Sequence, residues 1–427
     1  MKTLRYHAKQ DILYRTRARF PVVSAGRGSG KSLIAKRKVT RYLSIRVPGC
    51  FQPMYFYGLP TTQQAKRVAW ESLKDMLPTE WHRKGSKTFY ESERIIKTKF
   101  NSELHVVGLD APQRIEGNQW CGGVLDECSD QKPKVFDLTI RPALTDYKGW
   151  CARIGVPKRY GTGASDFKAA FDAALQNPTQ DDIALHWESA SIVDPQELAG
   201  IMLRLDIRDF NEQYRASWEQ ISGAIFYAYA AQNLNTSVVY RPDKRIVVGS
   251  DFNVDPMCWT LGHISDDGNK LQIFDEMAIR NTNTEECLNL LHTRFPQHIG
   301  WDFFGDASGK ARKTSANKSD YIQILNDERF KDKQVYYLKA NPPIKDRFAT
   351  CNAMLCNAVG QRRLEINPCC KRLILDLEHR SYKVDSNEPN DSGDMGHMSD
   401  ALGYIIYRKW PLRVITNTIS RVITRNA

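Results

Sequence analysis

The stretch FPVVSAGRGSGKSLIAK, residues 20–36, limits the possible folds of this chain more than any other. The β-type run Pro21-Val22-Val23 leads into a glycine-rich turn, and a helix-compatible stretch follows Lys31. Glycines let successive backbone N–H groups face one point, and a helix N-terminus adds the positive end of its dipole. A strand, such a turn and a helix, in that order, are what a P-loop requires. In that arrangement Gly26, Arg27, Gly28, Ser29 and Gly30 cradle the phosphates of ATP, Lys31 reaches the β- and γ-phosphates, and Ser32 holds Mg2+. The pattern departs from GxxxxGK[ST] at its first position, where Ala25 stands beside Gly26.

A P-loop enzyme needs a second element, a buried strand that ends in acids, and CGGVLDEC at 121–128 supplies it. Asp126 is placed on the Mg2+ shell, and Glu127 orients or deprotonates the attacking water. Read alone, the same residues are a strand running into an acidic turn; the P-loop upstream decides between the two. Between the motifs, YFYGLPTTQQAKRVAWESLK (55–74) reads as strand, turn and amphipathic helix, and RIGVPKRYG (153–161) gives another short strand. Strands alternating with helices predict an α/β, doubly wound parallel sheet with ligands at the strand C-termini.

The chain's 427 residues exceed one ordinary core, and an apolar share of 41% with 26% charged residues suits a water-exposed globular protein. No apolar h-region opens the chain and no run nears the ~18 apolar residues of a membrane span, so a cytosolic location is expected. The ten cysteines lack the paired CxxC spacing of zinc knuckles, and most are expected as buried thiols. A net charge of +12 favours a polyanionic partner, nucleic acid above all. Residues 1–195 form the expected ATPase domain, and 196–240, helical and charged, a lid or linker.

From residue 241 the pattern changes. IVVGSDF (246–252), CWTLGHI (258–264) and LQIFDEM (271–277) predict an antiparallel meander. A helix over NTNTEECLNLLHTRF follows, with Thr282 and Glu285 at capping-box spacing. Strand GWDFFGD (300–306), a helix at 321–327, strand QVYYL (334–338), helices over 344–358 and 369–380, and a last helix from HMSDALGY complete the order of a ribonuclease-H-like fold over 241–412. That order places Asp251, Asp306 and Asp400 at one sheet edge. Carboxylates so close repel unless a cation neutralises them, which points to two Mg2+ or Mn2+ ions and phosphodiester cleavage. His397, three residues before Asp400, is either a ligand and proton carrier or a supporting group. Asp255, Glu276 and Asp394 read as turn or surface acids. Residues 413–427 form a basic tail.

GRGSGKS and VLDE followed by SDF, GDASGK and HMSDALGY resemble the large subunit of a tailed-bacteriophage DNA-packaging terminase. APQRIEGNQWCGGVLDE, RIGVPK (with Val156 where the family's IGTP has Thr) and FNEQYRASWEQISGAIF extend the resemblance over most of residues 10–410. It implies a P-loop (RecA/ASCE-like) ATPase domain and a ribonuclease-H-like nuclease domain. The implied activity is ATP-driven translocation of double-stranded DNA into a procapsid, with cutting of the concatemeric genome. Lys31, Ser32, Asp126 and Glu127 would run ATP hydrolysis, Gln10 would read adenine, Arg114 would be an arginine finger, and Lys310 would contact the scissile phosphate. Implied partners are a small terminase subunit, the portal and procapsid, and further copies in a pentameric ring. The implied location is the host cytoplasm during assembly, not the mature virion. A repair helicase–nuclease and an ATP-gated DNA-binding scaffold are the competing readings.

Overall fold

A computed structural model describes residues 7–159, 161–218, 223–253, 255–310, 319–337, 340–383, 386, 388–391 and 394–412; the side chain of Arg114 and the basic tail 413–427 lie outside the described residues. The chain divides into two compact units, Met1–Leu198 with Phe210–Gln220, and Ala199–Asp209 with Ile221–Ala427. Helices α4 (Pro195–Met202) and α5 (Ile207–Tyr214), in the stretch expected as lid or linker, each contribute to both.

In the first unit, helix α1 (Ala8–Arg15) precedes strand β1 (Phe20–Ala25) and helix α2 (Lys31–Tyr42). Strands β2 (Met54–Leu59), β3 (Phe89–Tyr90), β4 (Ile95–Lys97), β5 (Glu103–Gly108), β6 (Gly122–Leu125), β7 (Trp150–Gly155) and β8 (Asp182–Trp187) complete the sheet, with helix α3 (Ala164–Gln176) before β8. The spatial order is β3-β4-β5-β2-β6-β7-β1-β8. Pairing is parallel from β5 to β8 and antiparallel only along β3, β4 and β5. All six residues of β1 are buried because both faces are covered: Val23 and Ala25 enter one core, Phe20 and Val22 the other. The β3–β4 hairpin escapes sequence reading because two- and three-residue strands carry no periodicity.

The second unit begins its sheet with β9 (Ile246–Asp251), β10 (Met257–Ile264) and β11 (Leu271–Ile279), the expected antiparallel meander. Helix α6 (Thr284–Arg294), β12 (Ile299–Gly305), helix α7 (Asp320–Asn326), β13 (Lys331–Tyr337), helix α8 (Ile344–Leu355), β14 (Leu364–Ile366), helix α9 (Lys371–His379) and helix α10 (His397–Lys409) follow. The order is β13-β12-β9-β10-β11-β14, with β9 and β12 parallel at the centre. Helices α8 to α10 pack on one face with Val247, α6 and α7 on the other with Ile246 and Val248. Two expectations shift. Strand β13 starts at Lys331, three residues early, because its partner β12 extends the ladder past the apolar core of QVYYL. The cap of α6 is Asn283, whose side chain accepts the Glu286 N–H, and not Thr282; the Thr282 hydroxyl instead donates to the Glu286 carboxylate at 2.7 Å. The first unit is thus a P-loop α/β sheet and the second a ribonuclease-H-like sheet. No described helix is long and apolar enough to cross a membrane.

Candidate active sites

In the first unit the turn after β1 is shaped by what lies against it. Gly28 and Gly30 have φ of 72° and 76°, the left-handed region where a side chain is strained. Gly26 has no room for one: a Cβ there would lie 2.3 Å from Ser189 Oγ and 2.4 Å from the Tyr214 carbonyl. The loop is tied down at both ends. Gly26 N–H donates to the Trp187 carbonyl (3.0 Å) and Arg27 N–H to that of Gln213 (2.7 Å). Ser29, fully buried, receives the Trp187 indole N–H on its hydroxyl (3.0 Å) and the Gln10 side-chain amide on its carbonyl (2.8 Å). Gln10 is itself buried and engaged with the loop through that amide nitrogen.

Lys31 opens α2 from a buried position; burial lowers its pKa, while Glu127 and Asp126 oppose that shift. Asp126 follows β6, which is separated from β1 by a single strand, and is almost fully buried. Its Oδ2 accepts the Tyr57 hydroxyl at 2.6 Å and its Oδ1 the Glu127 N–H at 2.9 Å. The Tyr57 pKa is pushed far up by burial and by Asp126; Ser32, on the first turn of α2, and Asp126 are the side chains expected on Mg2+. A hydroxyl and a carboxylate are hard oxygen donors, the set Mg2+ takes. Glu127 has a left-handed backbone (φ 53°), and Lys158 Nζ stands 3.5 Å from its carboxylate and also pairs with Asp130. Val156, standing where the family's IGTP motif has Thr, is buried and uses its carbonyl to accept Ser129 Oγ at 2.6 Å. The neighbouring Arg159 forms a buried ion pair with Glu212, 2.9 Å. Sequence reading missed Tyr57 and Lys158. A tyrosine inside the apolar run YFYG and a lysine directly after a strand end were the available signals.

In the second unit the register of β9 and β12 sets Ser250 opposite Gly305, so Asp251 and Asp306 follow side by side. Helix α10 lies directly on β9: a Cβ on Gly249 would sit 2.3 Å from the Ala401 carbonyl. That contact brings the first turn of α10, with His397 and Asp400, to the same edge. His397 Nδ1 is 2.8 Å from Asp251 Oδ2, and the Asn253 amide is 3.2 Å from its Nε2. Burial raises the pKa of Asp251, His397 lowers it, and Asp400 and Asp306 raise it further. The bond to Asp251 raises His397. Asp306 accepts Ser308 Oγ (2.6 Å) and the Gly309 N–H (3.3 Å). Lys310, beyond it, places Nζ over the Tyr337 ring at 4.6 Å.

Asp400 is held differently. Arg380 Nη1 is 2.6 Å and Arg347 Nη2 2.9 Å from its Oδ1. Among the described residues, no group of three His, Cys, Asp or Glu side chains is arranged to hold a metal ion. Asp251 and Asp306 present oxygen donors suited to Mg2+ or Mn2+; Asp400 lies beside them with its charge already paired. The three carboxylates expected from strand order share this edge, Asp400 and Asp306 both acting on Asp251, while two guanidinium groups engage the third. Of the weaker acids, Glu276 accepts the Arg372 and Leu373 N–H groups at the start of α9, and Asp255 and Asp394 both pair with Arg280.

No protein-family model matches this sequence, and no curated protein matches it. Among solved structures, the chain is similar to the large terminase of a thermophilic bacteriophage, with a TM-score of 0.55 and 13% identity over 95% of this chain and 99% of that one. The same terminase in complex with ATP-gamma-S matches with TM-score 0.54 and in complex with ADP with 0.52, each at 14% identity over 94% of this chain and 99% of that one. At such identities the likeness is one of fold, and it extends over nearly the whole of both chains.

Proposed function

We propose that the chain is the large subunit of a tailed-phage terminase: an ATPase that drives double-stranded DNA into a procapsid, and a metal-dependent endonuclease that cuts the concatemeric genome. One observation carries the reading. A glycine-cradled Lys31 facing Asp126 and Glu127, and an Asp251–Asp306 pair on a ribonuclease-H-like sheet, occur in one chain whose fold matches large terminases end to end.

In the first unit the turn 26–30 and the N-terminus of α2 bind the phosphates, Lys31 neutralises their charge, and Glu127 takes the proton of the attacking water. Ser32 and Asp126 would hold Mg2+, which would supply positive charge at the phosphates. Tyr57 orients the Asp126 carboxylate through its hydroxyl. Gln10, bound to Ser29, supports the loop from below; Arg114 remains the candidate to act on a neighbouring copy. In the second unit Asp251 and Asp306 would hold a divalent ion, which would supply Lewis-acid charge at the scissile phosphate, and His397, on Asp251, orients that carboxylate and carries a proton. The charge of +12 and the tail 413–427 suit double-stranded DNA and the portal. The remaining proposed partners are a small terminase subunit and further copies in a pentameric ring, in the host cytoplasm.

The test uses purified chain with ATP, Mg2+ or Mn2+, linear DNA and portal-bearing procapsids. ATP-dependent protection of DNA from added nuclease, together with plasmid cleavage lacking ATP, is the expected result. ATP hydrolysis and cleavage with no protected DNA would refute the packaging motor and leave a repair enzyme.

A further inference from the structure

The first turn of α10 carries Asp400, and two glycines flank it, Gly396 at the N-cap and Gly403 within the helix. Both make room for arginines. A Cβ on Gly396 would lie 2.6 Å from Arg380 Cζ, and one on Gly403 would lie 2.8 Å from Arg347 Cδ. Each arginine is also fixed from behind. Arg380 is 1% exposed, donates to the Gly396 carbonyl (3.1 Å) and Ser399 Oγ (3.0 Å), and pairs with Asp391 (2.8 Å). Arg347 is 5% exposed and stacks 4.6 Å over the Tyr404 ring. Asp376, one turn before Arg380 on α9 and fully buried, accepts the Gly396 and Ser399 N–H groups at 3.1 and 2.9 Å. The helix start is therefore gripped by an acid and a base from α9 and its C-cap, and Asp400 is part of the grip.

We propose that Arg347 and Arg380 are the standing counter-charges of Asp400, so that this edge takes one divalent cation, on Asp251 and Asp306, and not two. The inference rests on the nuclease reading above. Moving Asp400 onto a metal would take from buried Arg347 the carboxylate it pairs with and leave Arg380 with Asp391 alone, and a buried charge left unpaired is strongly unfavourable. The fixed positive charge at Asp400 also does part of what a second ion would do there, and it is present before any ion arrives. A single Mg2+ or Mn2+ bound through two carboxylates, with water and phosphate completing its shell, is an ordinary coordination for these ions.

The test is a Mn2+ titration of the full chain carrying Ser32→Ala, without nucleotide, followed by the EPR signal of free Mn2+, with plasmid cleavage measured in parallel. One ion per chain is expected. Adding Asp251→Asn should weaken it by at least about tenfold, while adding Asp400→Asn should change its affinity by less than about threefold. Arg347→Gln, which releases one grip on Asp400, should add a weaker second ion; its absence would overturn the role given to Arg347. Two ions in the parent, the second lost with Asp400→Asn, would overturn the proposal while cleavage keeps the nuclease reading alive. No ion and no cleavage would overturn both.

Discussion

On the proposed function, the two units solve the same problem, placing charge around phosphate, by opposite routes. The first gathers most of its groups within one turn of chain, residues 26–32, and adds Asp126 and Glu127 from a nearby strand end. The second collects Asp251, Asp306 and Asp400 from positions far apart in sequence, and needs α9 to hold α10 in place. A loop built on backbone N–H groups has dipoles in place of like charges and so has no repulsion to offset. A carboxylate edge does, and the second unit manages it with His397, Arg347 and Arg380. A contiguous site therefore depends on local backbone geometry, whereas a dispersed one depends on buried side chains that no motif includes.

The most severe challenge to this contrast is to disable each site alone. Lys31→Ala should lower ATP hydrolysis by about 100- to 1,000-fold, the usual cost of removing a preorganised charge, and spare metal-dependent plasmid cleavage. Asp251→Asn should do the reverse by a similar factor. Phosphate release and nicking measured on both variants decide it; loss of both activities in either variant would show that the sites are not separable.

A second test probes the claim about dispersed support. Asp376→Ala removes two charge-assisted bonds from the start of α10 and should cost on the order of 3 kcal/mol. Hydrogen exchange should then speed up at Met398–Leu402 and stay unchanged in α2. Uniform acceleration in both units, or none at Met398–Leu402, would contradict the assignment.

A third concerns acid. His263 is buried and neutral, with Nε2 accepting the Arg241 N–H at 2.9 Å and Nδ1 lying 2.9 Å from the Arg245 carbonyl. Burial lowers its pKa to about 4. The unfolded chain takes up a proton near pH 6.5 and the folded one only near 4, so stability falls as pH drops through that window. Between pH 6.5 and 5 the loss should reach about 2 kcal/mol. Urea unfolding followed by exchange of the β9–β10 amides reads it, and His263→Gln should flatten the dependence. A wild-type profile as flat as that of the variant would remove His263 as the cause.

The mildest change is expected at Lys158. Its ammonium group stands by Glu127, and Lys158→Met should slow ATP hydrolysis by about fivefold, about 1 kcal/mol, with Lys158→Arg restoring most of it. An unchanged rate would make the contact structural only.

What could be read directly from the residues is what short range dictates. Gly28 and Gly30 mark positive φ, Pro21-Val22-Val23 marks a strand buried on both faces, and the 246–277 meander shows in its turns. The strand order that follows is enough to set Asp251 beside Asp306. The remainder emerged with the packing of distant segments. Arg347 and Arg380 are ordinary cations in or beside amphipathic helices, and Asp376 is one acid among the leucines of KRLILDLEH. Only the packing of α8 and α9 on α10 turns them into the partners of Asp400 and of its helix. The reason is physical: backbone conformation is set by neighbours in sequence, whereas the partner of a buried charge is chosen by burial, and burial exists only once distant segments have met.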